Sequence, residues 1–105
     1  MKITHITSSH PRDDIRIFHK ECKSLVSEGF DVHLITPNNK DDFVDGVTVH
    51  AIKPQTSRIK RRTKSIWDVY QKALKIKADL YHFHDPELLP IGWLLKKKGA
   101  AVVYD

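Results

Sequence analysis

The amino-acid sequence predicts a doubly wound α/β domain, with a parallel sheet of about five strands in the order 3-2-1-4-5 and helices on both faces. Short β-branched runs alternate with segments whose apolar residues recur at helical spacing. Strands that alternate with helices build parallel sheets with right-handed crossovers. The length of 105 residues suits one domain, which takes in residues 1–105.

Five strands and two helices follow from local patterns. The predicted strands are the short runs at 2–7, 31–36, 47–52, 79–83 and 101–104. The stretch from Pro37 to Gly46 is predicted to be a polar turn region. Helical spacing predicts helices over residues 14–28 and 64–77. Gly29 is a natural stop for the first of these helices.

The third helix has two candidate starting points. Asp85 can cap free backbone N–H groups, and Pro86 fits the first position of a helix. Pro90 lacks an N–H, so either one early helical hydrogen bond is missing or the helix begins nearer to Pro90. The helix is expected to end at the three lysines 96–98, because cations are favoured in the last turn and Gly99 follows.

The composition narrows the class of protein. The formal net charge of +5 favours anionic partners such as phosphates, nucleic acid or an acidic membrane surface. No apolar run approaches the ~20 residues that a membrane-spanning helix needs. The single cysteine, Cys22, lies on the apolar stripe of the first helix, where we expect a buried structural thiol. Because one cysteine cannot form an internal disulfide, the sequence favours a cytoplasmic protein.

Two polar loops are predicted to meet at one site. In a doubly wound sheet the winding direction reverses between the first and fourth strands, so a crevice opens between their carboxyl ends. The loops at that crevice are 8–14 and 84–87. The candidate lining residues are His10, Arg12, His84 and Asp85. An arginine there could hold a phosphate or carboxylate, so a phosphorylated or polyhydroxylated ligand fits the site.

His84 is the main candidate for chemistry. His82 and His84 alternate along the fourth strand and therefore share a face. Since His84 is the last residue before the turn, its ring is expected to lean into the crevice, where imidazole can act as a general base or orient a hydroxyl. His82 lies one pleat deeper and is expected to belong more to the core. For Asp85, helix capping is an equally good interpretation.

A dinucleotide-binding site and a metal site both fit the sequence less well than a site for a phosphorylated or polyhydroxylated ligand. No Gly-x-Gly-x-x-Gly follows the first strand, which argues against a dinucleotide-binding site. His82, His84 and Asp85 make an incomplete set of metal ligands, so no metal is expected. The sequence pattern therefore favours an organic ligand with hydroxyl or phosphate groups.

A basic run at 58–64 is the second feature that could bind a partner. Its cations are Arg58, Lys60, Arg61, Arg62 and Lys64. Such a run is either a solvated loop and helix start or a contact for an anionic surface. No aromatic residue interleaves the charges, so an anionic membrane surface suits the run better than nucleic acid.

Three segments taken together resemble a known family. They are 9–18, which contains Pro-Arg-Asp-Asp-Ile-Arg, 79–89, which contains His-x-His-Asp-Pro-Glu, and 102–105, which reads Val-Val-Tyr-Asp. In this combination the sequence resembles the N-terminal domain of a retaining glycosyltransferase of family 4 (group 1) with the GT-B fold. The resemblance runs from end to end of the chain.

The resemblance implies a Rossmann-like domain that binds the acceptor, a sugar or lipid-linked molecule, and faces a second domain that binds a nucleotide-sugar. His84 matches the histidine on the sugar side of the cleft. Arg12 and Arg16 fall on the donor-phosphate side, although Arg16 could equally pair with a neighbouring aspartate. The sequence stops at Asp105, inside a Tyr-Asp-x-His-Glu motif of such enzymes. We therefore expect a fragment without the donor domain and without turnover of its own.

Two other functions stay open at the level of sequence. One is a stand-alone, flavodoxin-like module that binds a small anion. The other is an interaction domain that uses the basic run at 58–64. Under the glycosyltransferase interpretation, the expected location is the cytoplasm, peripheral to the inner face of the membrane, with no cofactor beyond the nucleotide-sugar substrate.

Overall fold

The described part of the chain forms a six-stranded sheet with helices on both faces. The computed structural model describes residues 1–7, 20–37, 40–53, 64, 66–84 and 88–104. The strands are β1 (Lys2–Ile6), β2 (Asp31–Pro37), β3 (Asp42–Val44), β4 (Val47–Ile52), β5 (Leu80–Phe83) and β6 (Ala101–Tyr104). The helices are α1 (Lys23–Ser27), α2 (Ile66–Ile76) and α3 (Leu89–Lys97). The strands lie in the order β3-β4-β2-β1-β5-β6, and only the β3–β4 pair is antiparallel.

The predicted fold class and strand order are confirmed. The five predicted strands correspond to β1, β2, β4, β5 and β6, and they follow the order 3-2-1-4-5. The prediction of a turn region from Pro37 to Gly46 was incomplete, because β3 lies within it. β3 joins β4 through Asp45 and Gly46, whose φ angles are 53° and 82°. Positive φ at both central residues is the geometry of a tight hairpin, and Asp-Gly is a strong sequence signal for it.

Apolar side chains fill the space on both sides of the sheet. On one face, α2 and α3 cover a cluster that includes the buried side chains of Ile6, Ile35, Phe83 and Leu88. On the other face, α1 packs near a smaller cluster around Val32 and Val49. Cys22 is buried in this smaller cluster, as expected. Burial, with a smaller contribution from the neighbouring Glu21, raises the pKa of Cys22 to about 12.

The predicted starts of two helices can be compared only with the described residues. α1 begins at Lys23, after a wider helical turn at 20–22, and the predicted part at 14–19 lies outside the described residues. α3 begins at Leu89, which confirms the alternative start near Pro90, whereas the other candidate start at Asp85 and Pro86 lies outside the described residues. In the first turn a proline loses no helical hydrogen bond, whereas farther along it would break one. Within the described ranges, no helix has the length and apolarity to cross a membrane.

A histidine pair lies on the sheet face that α2 and α3 cover. His33 Nδ1 and His50 Nε2 are 2.8 Å apart, and the two rings stack with their centroids separated by 5.1 Å. His33 Nε2 also lies 3.2 Å from Asp31 Oδ1. Burial, and then the charge of His33, lower the pKa of His50 below its ordinary value of 6.5.

This lowered pKa predicts a stability that depends on pH. Because the unfolded chain binds a proton at His50 more readily than the folded chain does, protonation of His50 favours unfolding. The contribution of neutral His50 to the free energy of unfolding is therefore complete above about pH 6.5 and is lost as the pH falls through the lower folded-state pKa. Urea unfolding between about pH 7.5 and about pH 5 should therefore show a smaller loss of stability in His50→Gln than in the unmodified chain. Equal losses in the two proteins would show that His50 does not contribute.

Candidate functional site

Four polar side chains meet where β1 and β5 lie side by side. We call His5, Glu21, His82 and His84 the histidine cluster; one potential ligand atom from each lies within 4.8 Å of those from the other three. β1 lies between β2 and β5, and His5 is paired with His82 in the parallel register. This pairing puts the cluster at the point where the winding of the sheet reverses, which is where open α/β sheets bind ligands.

Hydrogen bonding and ring stacking hold the cluster together. His5 Nδ1 and His84 Nε2 are 2.9 Å apart, so one nitrogen donates and the other accepts. Glu21 Oε2 lies 3.3 Å from His5 Nδ1 and 3.4 Å from His84 Nε2. The His82 and His84 rings stack with centroids 4.5 Å apart, which confirms that these residues share a face of the sheet. The carboxylate therefore faces two imidazole nitrogens that can accept or donate a proton.

The expected burial of the two strand histidines was wrong. The His84 side chain is fully buried, whereas His82 is only half-buried. The reason is that the ring of His84 lies against His5 and His82 instead of leaning into open space, and its backbone N–H donates to the carbonyl oxygen of Ile6 at 3.1 Å. The expectation that His82 belongs more to the core than His84 is therefore wrong.

A cavity of about 320 Å³ opens beside the cluster. His5, Glu21 and His82 line its polar part, while Ile3 and Leu80 belong to its apolar part. Ile3 and Leu80 are paired residues near the start of β1 and β5, so the cavity extends from the cluster along the face of the sheet. Its size and its mixture of apolar walls with a few polar groups are typical of sites for small molecules.

The other sequence candidates cannot be placed against this geometry. His10, Arg12, Arg16 and Asp85 lie outside the described residues. The same holds for Arg58, Lys60, Arg61 and Arg62 of the basic run, whereas Lys64 is described and exposed. Their roles stay predictions. Among the described residues, the cluster adds His5 and Glu21, which the sequence analysis did not select.

Comparison with known proteins identifies the fold and the family. A search of curated protein sequences found no match. The fold is similar to that of sucrose-phosphate synthase from Thermosynechococcus elongatus, with a TM-score of 0.69 and 12% identity over 99% of this chain. The chain spans 32% of that synthase. The C-terminal domain of a Pyrococcus furiosus hydrogenase is also similar, with a TM-score of 0.66 and 14% identity over 99% of this chain and 90% of that domain.

These structural similarities establish the fold alone, because the identities are low and the two proteins carry names of different activities. A family model is more specific. The glycosyl transferase 4-like family matches residues 6–104, which is nearly the whole chain. The match includes Glu21, His82 and His84 of the cluster, whereas His5 precedes it by one residue. The chain belongs to the glycosyl transferase 4-like family.

Proposed function

We propose that this chain is the acceptor-side domain of a retaining glycosyltransferase that moves a sugar from a nucleotide-sugar to a sugar or lipid-linked acceptor. In this proposal the donor binds to a second domain beyond residues 1–105, and the isolated chain has no turnover. The observation that carries the proposal is the histidine cluster at the β1–β5 boundary, in a chain whose family is glycosyl transferase 4-like.

The geometry of the cluster supports a role with a hydroxylated ligand. The cavity beside it offers imidazole and carboxylate groups on one part of its lining and apolar side chains on another. Sugars present hydroxyl groups at their edges and C–H groups on their faces, so they suit such a mixed lining. Glu21 and His5 both lie close to His84 Nε2 and can keep its ring in one orientation.

In this mechanism His84 is the residue that acts on the acceptor. Its imidazole orients the acceptor hydroxyl or takes up its proton, while His5 and Glu21 act as positioning residues. His10 and Asp85 contact the acceptor sugar, and Arg12 and Arg16 neutralise the phosphates of the donor. The roles of His84, Arg12 and Arg16 follow from the resemblance of the sequence to the family. Those of His10 and Asp85 follow from the predicted crevice loops, and those of His5 and Glu21 from the geometry of the cluster.

We further propose that the enzyme works in the cytoplasm at the inner face of an anionic membrane. Two observations support this. Trp93 on α3 is 57% exposed, and Lys97 Nζ lies 4.2 Å from the centre of its ring. An exposed tryptophan beside lysines is typical of surfaces that rest at a membrane interface, where each cation contributes about 1 kcal/mol near anionic lipid. Lys64 is exposed as well.

A transfer assay tests the proposal. Residues 1–105 and the longer protein that contains them are incubated with radiolabelled nucleotide-sugars and a panel of sugar and lipid-linked acceptors. We expect transfer by the longer protein, with retained anomeric configuration, and none by the short chain. Transfer by residues 1–105 alone would contradict the need for a second domain. No transfer by the longer protein with any donor would favour the anion-binding alternative.

The same proteins test the membrane contact. Vesicles with anionic lipid should sediment the longer protein, whereas zwitterionic vesicles should not. The variant Trp93→Ser, Lys97→Ser should lose most of this binding, while replacement of the exposed Phe43 by serine on β3 should not change it. Equal binding by both variants would remove α3 from the proposal.

A further inference from the structure

We propose that the histidine cluster binds a divalent transition-metal ion, with Zn²⁺ as the best match. The ligands are His5 Nδ1, Glu21 Oε2, His84 Nε2 and one ring nitrogen of His82. His5 lies on β1 and Glu21 in the turn before α1, while His82 lies on β5 and His84 directly follows that strand. One potential ligand atom from each residue lies within 4.8 Å of the others. The inference does not depend on the proposed transfer reaction, because it concerns binding by this chain alone.

The distances within the cluster suit a tetrahedral metal. The three atoms His5 Nδ1, Glu21 Oε2 and His84 Nε2 are separated by 2.9, 3.3 and 3.4 Å. Three atoms at these separations share a point about 2 Å from each, which is the length of a Zn–N or Zn–O bond. These three atoms are therefore already close to the positions of ligands. The 2.9 Å hydrogen bond between the two histidines must open slightly, and the ligand nitrogen of His82 lies within 4.8 Å of the other three atoms.

The chemistry of the ligands also favours this ion. Neutral imidazole nitrogens suit zinc and other late transition metals, whereas Mg²⁺ and Ca²⁺ prefer sets made of oxygen atoms. Three histidines and one glutamate complete a four-coordinate set, which His82, His84 and Asp85 alone could not do. The sequence-based expectation of no metal depended on that incomplete set.

Two polar atoms of the cluster lack a hydrogen bond among the described residues, although Glu21 Oε2 has imidazole nitrogens at 3.3 and 3.4 Å. Glu21 Oε2 and His82 Nε2 are buried, and neither makes a hydrogen bond within the described part of the chain. Buried polar atoms normally have a partner, and a hydrogen-bond donor or acceptor left without one destabilises the fold. A metal ion coordinated by Glu21 and by a ring nitrogen of His82 would compensate for this deficit.

Calorimetric titration of the 105-residue chain with ZnCl₂ tests the inference. We expect a single zinc site per chain, no comparable heat from MgCl₂, and a higher unfolding temperature with zinc. Titration with Co²⁺ should produce the absorption bands of a tetrahedral complex. If zinc gives no saturable binding, or if Co²⁺ shows only the spectrum of the hydrated ion, the cluster is not a metal site.

Variants locate the bound ion. Glu21→Gln should keep the fold, because this side chain is 30% exposed, and should weaken zinc binding by about 100-fold or more, since even residues behind the ligands change affinity 10–100-fold. His82→Ala should weaken it similarly. His50→Gln, on the opposite face of the sheet, is the control and should bind zinc as the unmodified chain does. Zinc binding that survives Glu21→Gln and His82→Ala, or that is lost in His50→Gln, overturns the assignment.

Discussion

Phe83→Ala is expected to lower the free energy of unfolding by about 3–5 kcal/mol, the usual cost of removing a phenylalanine from a core. Phe83 lies on β5, between β1 and β6, and is 1% exposed. Its ring stacks on Tyr104 at a centroid distance of 5.6 Å, and it belongs to the larger apolar cluster under α2 and α3. Because domains of this kind have a total stability of about 5–15 kcal/mol, the variant should be close to unfolding.

Urea denaturation followed by tryptophan fluorescence measures this loss, and the chain offers a matched control. Phe43 on β3 is 63% exposed, so Phe43→Ala should change the stability by no more than about 0.5 kcal/mol. The same atoms are removed in both variants, and only their burial differs. Similar losses in the two variants would mean that Phe83 does not lie in the core as described.

His84→Gln in the longer protein should lower kcat by about 10²- to 10⁴-fold, which is the usual loss when a positioned acid or base is removed. Glutamine keeps a group that can hydrogen-bond to His5 in place of the 2.9 Å contact, but it cannot take up a proton at neutral pH. The substitution therefore tests chemistry with little disturbance of the fold, whereas alanine would leave a cavity because the His84 side chain is fully buried.

Initial rates of transfer measure this effect, with circular dichroism to verify the fold. His50→Gln makes the same change on the opposite face of the sheet, and its kcat should match that of the unmodified enzyme within about threefold, because the residue does not belong to the cluster. The assays are run with a chelator, so that zinc does not occupy His84 Nε2. A folded His84→Gln protein with nearly normal kcat would disprove the catalytic role and leave the zinc inference untouched.

The architecture was predictable from the sequence because each signal was local. β-branched runs that alternate with segments of helical spacing predicted five parallel strands. The right-handed crossovers that connect such strands predicted their order. The missed strand β3 has only three residues, and Phe43 points to solvent, so the hydrophobic signal there is weak. Asp45 and Gly46 were the signal that could have revealed it, since an Asp-Gly pair before a strand favours a hairpin.

The candidate site was less predictable, because it depends on the register between distant strands. His82 and His84 share a face by simple alternation, and this was foreseen. His5 lies within a β-branched run and looks like an ordinary strand residue until its pairing with His82 is known. Glu21 adjoins Cys22 on the first helix, and only the packing of that turn against β1 brings it to the histidines. Burial of His84 likewise depends on rings that come from other parts of the chain.

The central position of β1 also affects how the domain is made. β1 is synthesised well before β5, which is its partner on one side. Lys2 N donates to Asp79 Oδ2, and His5 contacts His84, across 77 and 79 residues respectively. Contacts between such distant residues form slowly, because the entropy of closing a long loop must be lost before they stabilise the chain. During synthesis the middle strand of the sheet therefore stays paired on one side only until β5 has left the ribosome.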